Sequence, residues 1–476
     1  MNLEQKSRKT VLYSFIILGI VSSFFFYYNL GTSPFIDYDE ATYAQITQDT
    51  QKAGDLLTLH KGDNVWFEKP PLYFWLAMGS EKVFGADEFG LRFPSATFGI
   101  LAVFLVGLIA LELSASPYVA VLAGIILLTS GGFLEAARQV RLDVPVTASI
   151  LFALYSFLRA KRNPKWYMGI AVAVAVGFLL KSVIALLALP IILIWAFFSK
   201  DWKWFKNKYL WYGAVAGLVV LLPWHIYELM HYGSSFWNEY ISRQLLQRFA
   251  VDSNGSSITN FDYVKYVTLF SFPWALVFGA GVIQVIAKRS KTETSVWLYS
   301  LAGSVLFLFC FFFLAHTKLV YYTVPLYPFI AIFCAVFIGK VYESCKTEDQ
   351  FTFFVLTVVS LLAVALANMV YVGFKFQSDL AASQRLANDE YQISLQIQKH
   401  PEITDVKGFK YNYFETINYY SGRNVSFIQD GDPITNPTLV VSYSIPYKSH
   451  WFTPDLMKHL EPLYVGDDVA LLLYRP

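Results

Sequence analysis

Asp39 and Glu40 stand side by side in Pro34-Phe35-Ile36-Asp37-Tyr38-Asp39-Glu40-Ala41-Thr42-Tyr43. About two dozen residues later comes Phe67-Glu68-Lys69-Pro70-Pro71-Leu72. A carboxylate ringed by tyrosines has the chemistry to take a proton from an acceptor hydroxyl, or to bind a metal. The local alternative is helix capping, because Asp suits an N-cap and Glu a first turn. Lys69 precedes two prolines, which fix φ and hold the residues before them extended. A Lys held this way is a point charge for a phosphate oxygen, and its ordinary alternative is a Lys snorkelling to the headgroup level.

Three further stretches carry the same residue types. Arg138-Gln139-Val140-Arg141-Leu142-Asp143-Val144-Pro145 packs two cations and an acid into one turn, and Asp143 has the same cap-or-catalyst ambiguity as Asp39. Arg248, in Arg243-Gln244-Leu245-Leu246-Gln247-Arg248-Phe249, is a second phosphate-binding candidate, and Lys318 with Tyr321-Tyr322 is a third. Each stretch alone reads as an interfacial segment. Five stretches that bring acids, cations and tyrosines to one side of a membrane suit a single reaction type. Two carboxylates supply a base and charge stabilisation at an oxocarbenium-like centre, while Arg and Lys neutralise a phosphate leaving group. The sequence has no glycine-rich phosphate loop or dinucleotide fingerprint, consistent with a lipid-linked sugar donor that carries no nucleotide.

The elements that must position these residues are apolar. Of 476 residues 55% are hydrophobic and 15% charged, against about 25% charged in a typical soluble chain. A span takes roughly 20 apolar residues, and eleven candidates lie near 11–30, 91–113, 117–135, 144–160, 166–180, 182–199, 209–229, 266–287, 296–315, 319–339 and 351–373. A missed hairpin would raise the number to as many as 13. The first run follows Lys6, Arg8 and Lys9 like a signal peptide. It exceeds the usual 7–15 apolar residues and lacks a small-x-small site, so it is expected to be retained. Basic residues at 161–165, 200–208, 288–291 and 340–346 fall on alternate turns and orient the chain with those turns inside. Segments 31–90, 138–143, Lys181, 230–265, 316–318 and everything after about 374 then lie outside. Residues 40–53 are expected to form a helix stopped by Gly54, and Pro70-Pro71 to begin a juxtamembrane helix ending before Gly85.

The expected organisation is a polytopic α-helical membrane domain over 1–373, with outer loops 31–90 and 230–265, and a small extracytoplasmic α/β domain over 374–476. Strand-like pieces occur at Asp405–Lys410, Asn424–Ile428, Thr438–Tyr443 and Val469–Tyr474, with helical patterns at Ala381–Lys399 and Phe414–Tyr420. A net charge of +2 and the lack of a basic patch argue against a nucleic-acid partner. The three cysteines, Cys310, Cys334 and Cys345, lie in or beside apolar runs and form no disulfide framework.

With these motifs in place, the chain resembles the polyprenyl-phosphate-sugar-dependent membrane glycosyltransferases, and within them the bacterial aminoarabinose-to-lipid-A and protein mannosyltransferase-like enzymes. The matching residues are Asp39-Glu40-Ala41-Thr42-Tyr43, Phe67-Glu68-Lys69-Pro70-Pro71, Arg141-Leu142-Asp143-Val144-Pro145, Gln247-Arg248-Phe249-Ala250, and Lys318-Leu319 with Tyr322 and Pro325. The resemblance implies that Asp39 is the main catalytic carboxylate, with Asp143 assisting and Glu40 beside it. It implies that Lys69 and Arg248 hold the lipid phosphate with Tyr43 and Tyr322, and Lys318 and Arg141 are further candidates for that role. Glu68 matches the position where relatives can bind a metal, so a divalent ion is the one cofactor the resemblance admits. Thr42 stands where the family commonly has Arg, which removes one anion contact. The expected partners are a polyprenyl-phosphate sugar, a lipid A-like or protein acceptor, and the bilayer itself. The expected location is the bacterial inner membrane, with the active site on the periplasmic face. A non-catalytic lipid-phosphate transporter is the competing class, and it would bury charges along a path through the membrane.

Overall fold

The computed structural model describes residues 3–36, 38–247, 259–289, 292–315, 318–409, 411, 414–428, 434, 436–444 and 457–476. The helices are α1 (Leu3–Tyr27), α2 (Asp39–Ala53), α3 (Leu72–Phe84), α4 (Glu88–Ser114), α5 (Pro117–Leu128), α6 (Gly131–Ala137), α7 (Asp143–Ala160) and α8 (Tyr167–Lys181). They continue with α9 (Ala188–Ser199), α10 (Lys208–Phe236), α11 (Asn260–Phe270), α12 (Trp274–Lys288), α13 (Glu293–Leu314), α14 (Leu326–Tyr342), α15 (Glu348–Lys399) and α16 (Glu415–Ser421). The strands are β1 (His60–Lys61), β2 (Asn64–Val65), β3 (Asp405–Phe409), β4 (Ser426–Ile428), β5 (Thr438–Tyr443), β6 (Leu460–Val465) and β7 (Val469–Tyr474).

The protein is a polytopic helical membrane protein. Among the described residues eight helices are long and apolar enough to cross a bilayer, or up to ten if each of two bent pairs is one span. The bends fall inside segments that the sequence reads as straight. The 117–135 run breaks after α5, where Thr129 and Ser130 turn their hydroxyls back onto helix carbonyls, and α6 leaves at 73°. The 266–287 run breaks at Pro273, which has no amide to continue a helix, and α11 and α12 meet at 98°. The stretch Pro164–Ser199, counted among the eight as one helix, contains a reversal. Ser182 has φ 54° and ψ −141°, and a Cβ built on Gly177 would lie 2.9 Å from the Ala185 methyl. Residues eight apart in a straight helix are about 12 Å apart along its axis, so the chain folds back on itself here.

The described residues fall into two compact units. The first holds Met1–Tyr28, Phe67–Leu76 and Phe93–Gly373, and the second Asn29–Trp66, Ala77–Arg92 and Phe374–Pro476. One division falls after Gly373, and most of residues 31–90 lies in the second unit. The reason is side-chain packing that no local pattern reveals. Phe35 meets Tyr419 edge-on at 4.9 Å and stacks on Tyr420 at 6.0 Å. Lys61 pairs with Glu415 at 3.1 Å, and the Gln48 amide donates to the Tyr419 hydroxyl at 2.9 Å.

The rest of the second unit is built on a five-stranded sheet of order β4-β3-β5-β7-β6, with β3 parallel to β4 and β5 and β7 antiparallel to β5 and β6. Alternation along the strands fills both faces. Leu439, Val441, Leu471 and Leu473 pack with Ile393 and Ile397 of α15 and Ile417 of α16, while Val440, Ala470 and Leu472 face the other way. Strand β6 has no counterpart in the sequence reading. Pro462 interrupts its pattern, and proline is tolerated there because β6 is an edge strand with a register shift between Pro462 and Tyr464.

Candidate active site

In the second unit, the residues before α2 form a loop held by one side chain. Arg92 of α4 is 3% exposed and Glu40 1%. Arg92 Nε donates to Glu40 Oε1 at 2.8 Å and Nη2 to Glu40 Oε2 at 2.9 Å. Its remaining hydrogens reach the carbonyls of Leu30, Ser33 and Pro34, and its guanidinium lies 5.1 Å from the centre of the Phe35 ring. Glu40 Oε2 also accepts from the Ile36 amide at 3.0 Å. Glu40 thus holds the loop before α2 and does not cap the helix. Asp39 is the first helical residue, Tyr38 occupies the N-cap position without a side-chain cap bond, and Asp39 is half-buried. Glu40, expected beside Asp39 as a catalytic carboxylate, instead has both oxygens engaged in a buried bidentate pair. Tyr43 is buried one turn later, with its ring edge-on to Trp66 at 6.4 Å.

In the first unit, Phe67 anchors the Glu68-Lys69-Pro70-Pro71 stretch. It inserts among Leu179, Trp224, Phe236 and Tyr240, meeting Tyr232 at 5.1 Å and Phe236 at 5.5 Å. Lys69 is 9% exposed, with its ammonium 3.2 Å from the Glu68 carbonyl and 3.8 Å from the Glu68 carboxylate. The prolines lead into α3, whose Tyr73 shares a hydrogen bond with the Ser95 hydroxyl at 2.9 Å. That hydroxyl in turn lies 2.8 Å from the Arg141 carbonyl and 3.1 Å from its amide. A chain of three residues thus ties the helix after Lys69 to the turn that carries Arg141 and Asp143.

That turn is the best-defined cluster. Arg138 donates to the carbonyls of Phe25, Phe26 and Tyr28 and caps the end of α1, which makes it structural. Arg141 is buried, donates from Nε to the Gln139 side-chain oxygen Oε1 at 2.7 Å, and lies 3.2 Å over the Tyr321 ring. Gln139 and Tyr321 both reach Glu135, at 3.5 Å and 3.4 Å. Two residues on, Asp143 opens α7 and ion-pairs with Lys181, the last residue of α8. Of the phosphate-site candidates on the following helices, Tyr322 stacks on Phe312 at 5.4 Å, and Lys318 donates to the Ala315 carbonyl at 2.6 Å. Arg248 lies outside the described residues.

The structure thus ties the helix after Lys69 to the turn that carries Arg141 and Asp143, and places Asp39, Glu40 and Tyr43 together at the start of α2. Among the described residues no set of three or more His, Cys, Asp or Glu is arranged to hold a metal, and Glu68 is paired with Lys69. Sequence reasoning did not single out Arg92 or Glu135, and it placed Lys181 on the outer face without giving it a role. Arg92 and Glu135 sit in apolar runs as lone charges, and a lone charge in such a run needs a partner when buried. That was the available signal.

Residues 68–227 match the family described as dolichyl-phosphate-mannose-protein mannosyltransferase. An Aquifex aeolicus protein of no stated function is 27% identical over 77% of this chain and 71% of its own. The undecaprenyl phosphate-α-4-amino-4-deoxy-L-arabinose arabinosyl transferase 2 of Pseudomonas fluorescens is 31% identical over 60% of this chain and 52% of its own. The chain thus spans about half the length of this arabinosyl transferase. In fold, it is similar to ArnT from Cupriavidus metallidurans bound to undecaprenyl phosphate, with a TM-score of 0.73 at 18% identity, covering 96% of this chain and 97% of that one.

Proposed function

We propose that this relative of the polyprenyl-phosphate-sugar-dependent membrane glycosyltransferases moves a sugar from a polyprenyl phosphate to an envelope glycolipid on the extracytoplasmic face. The observation that carries the reading is the frame around Asp143. Arg141 is buried two residues before the Asp143–Lys181 ion pair, and Ser95 links the backbone of that turn to Tyr73 of the helix that follows Lys69. Such a cluster is suited to a phosphate, whose departure is largely an electrostatic task.

In this mechanism the acceptor hydroxyl attacks the anomeric carbon on the face opposite the phosphate. The new C–O bond forms as the bond to the phosphate oxygen breaks, and the bonding pair leaves with polyprenyl phosphate, so the anomeric centre inverts. Asp39 takes the acceptor proton. Lys69 and Arg141 neutralise the departing phosphate. Lys181 joins them, with Asp143 holding its ammonium in place, so Asp143 is assigned a positioning role along with charge stabilisation. Arg248, Lys318, Tyr43 and Tyr322 remain phosphate candidates, and Glu68 is the residue through which a divalent ion would enter. The buried Glu40–Arg92 pair shapes the loop that presents Asp39.

Counting the two arms of Pro164–Ser199 separately, and each bent pair once, raises ten spans to eleven. With eleven spans the basic turns at 161–165, 200–208, 288–289 and 340–346 share one side, which is the cytoplasmic side by the positive-inside rule. The sheet domain and α2 then face outward, in the bacterial inner membrane. The arabinosyl transferase relatives and a fold shared with a protein solved with undecaprenyl phosphate support the donor class. The mannosyltransferase family match favours a second reading, a protein Ser/Thr acceptor on the same fold.

The test is transfer from a radiolabelled undecaprenyl-phosphate sugar by purified protein supplied with envelope lipids or an envelope protein extract. Label appearing in the lipid fraction supports the leading reading, and label in protein the second. Donor that stays intact across a panel of sugars contradicts both.

A further inference from the structure

The second unit contains a pocket of about 450 Å³ between α2, the β1–β2 turn and α16. Its size falls within the range of small-molecule sites, roughly 300–1,000 Å³. Its lining does not match the usual apolar one. Nine of the twelve lining residues carry polar side chains, among them Gln45, Gln48, Asp49, Asn418, Tyr419 and Asn424.

Gln45 carries the argument. It is 4% exposed, and its Nε2 donates to Asn424 Oδ1 at 3.4 Å. Its Oε1 is buried with no hydrogen-bond partner among the described residues. An unmet buried acceptor is unfavourable, so a donor from outside the chain would be held there. The neighbouring groups are already arranged. Gln48 donates to the Tyr419 hydroxyl at 2.9 Å, and Asp49 accepts from the Gly62 amide at 2.8 Å with Lys52 at 3.7 Å.

The lining charges limit the ligand. Asp49 and Asp63 against Lys52 leave one net negative charge with His60 neutral, which opposes a phosphate, sulfate or carboxylate. The described residues present no set of three metal-binding side chains here. A hydroxyl both donates and accepts, so amide oxygens, amide hydrogens, carboxylates and a phenol set close together match a ring bearing several hydroxyls. We propose that this pocket binds a saccharide, neutral or amine-bearing and without phosphate, with one ligand hydroxyl or amine donating to Gln45 Oε1. The inference stands whether or not the chain transfers sugar.

Saturation-transfer difference NMR on the full chain, in a detergent without a sugar headgroup, tests this with glucose, glucosamine and glucose 1-phosphate as probes. Glucose and glucosamine are expected to give ring-proton signals, and glucose 1-phosphate a weaker one or none. Gln45→Leu is expected to weaken binding at least tenfold at an unchanged Tm. Gln45→Glu, which keeps an acceptor and adds a negative charge, is expected to favour glucosamine over glucose several-fold more than wild type does. It also serves if Gln45→Leu does not fold. Absence of saccharide signal, preference for glucose 1-phosphate, or equal binding by wild type and Gln45→Leu would overturn the proposal. An unchanged glucosamine preference in Gln45→Glu would do the same.

Discussion

Arg92 Nε donates to Glu40 Oε1 at 2.8 Å, and the residue beside Glu40 in the chain is Asp39, the proposed base. The pair is almost fully buried, and Arg92 also reaches three carbonyls of the loop before α2. Removing one partner of a buried ion pair costs about 3–5 kcal/mol, because the other is left as an uncompensated charge. Arg92→Met is therefore expected to lower stability by that amount, measured by thermal or denaturant unfolding in detergent. Arg92→Met combined with Glu40→Leu is expected to recover much of the loss. If Glu40→Gln abolishes transfer without a change in unfolding, Glu40 has a chemical role and the positioning account is wrong.

Lys181 and Asp143 form the second relationship with consequences for activity. If Asp143 works by holding Lys181 towards the phosphate, the two substitutions share one effect. Asp143→Asn, Lys181→Met and the double variant should then lose donor affinity by similar factors, with the double close to the worse single. Effects that multiply across the two would show that each acts separately.

Ser95 joins Tyr73 to Arg141 through its hydroxyl. A hydrogen bond of this kind contributes about 0.5–1.5 kcal/mol. Tyr73→Phe and Ser95→Ala are each expected to raise the KM for the lipid donor by up to about tenfold, with a smaller effect on kcat. A purely structural role would instead lower the folded fraction and leave KM unchanged.

Glu81 of α3, in the second unit, provides a pH test. Burial pushes its carboxyl up to about 7, the Gln51 amide opposes this, and Asp87 adds to it. Tyr419 is the other titratable group coupled to it. A folded-state value above the ordinary 4.5 means that the native protein holds the proton more tightly than the unfolded chain does. The stability contribution is thus fully present below about pH 4.5 and is lost as pH rises through about 7. Wild type should lose more Tm between pH 5 and pH 8 than Glu81→Gln does, and the variant should be the more stable at pH 8. Parallel Tm profiles would contradict this.

Much of this arrangement was legible in the sequence, and the exceptions share a cause. Apolar runs, basic turns and proline-locked motifs are local, so the membrane-embedded helices, the start of α2 and the start of α3 could be read directly. The strand patterns at 405, 438 and 469 were equally local. What could not be read depends on distant partners. Nothing near Phe35 announces Tyr420, 385 residues away, so the loop was assigned to the membrane domain. Nothing near Asp143 announces Lys181, and the reading of Asp143 as cap or catalyst did not foresee its ion pair. The buried pair of Glu40 with Arg92 could not be foreseen because Arg92 lies 52 residues on, inside an apolar run. The bends at Thr129 and Pro273 were missed because hydropathy is insensitive to direction.

The most direct test of the central claim compares sugar transfer by wild type and Asp39→Asn, with polyprenyl-phosphate sugar as donor and envelope lipid as acceptor. Stability and donor binding are measured on the same preparations. General-base catalysis contributes about 10²–10⁴-fold, so the variant is predicted to bind donor normally, unfold at the wild-type temperature and lose at least a hundredfold in kcat. A variant that transfers at the wild-type rate would contradict the assignment of Asp39 as the base.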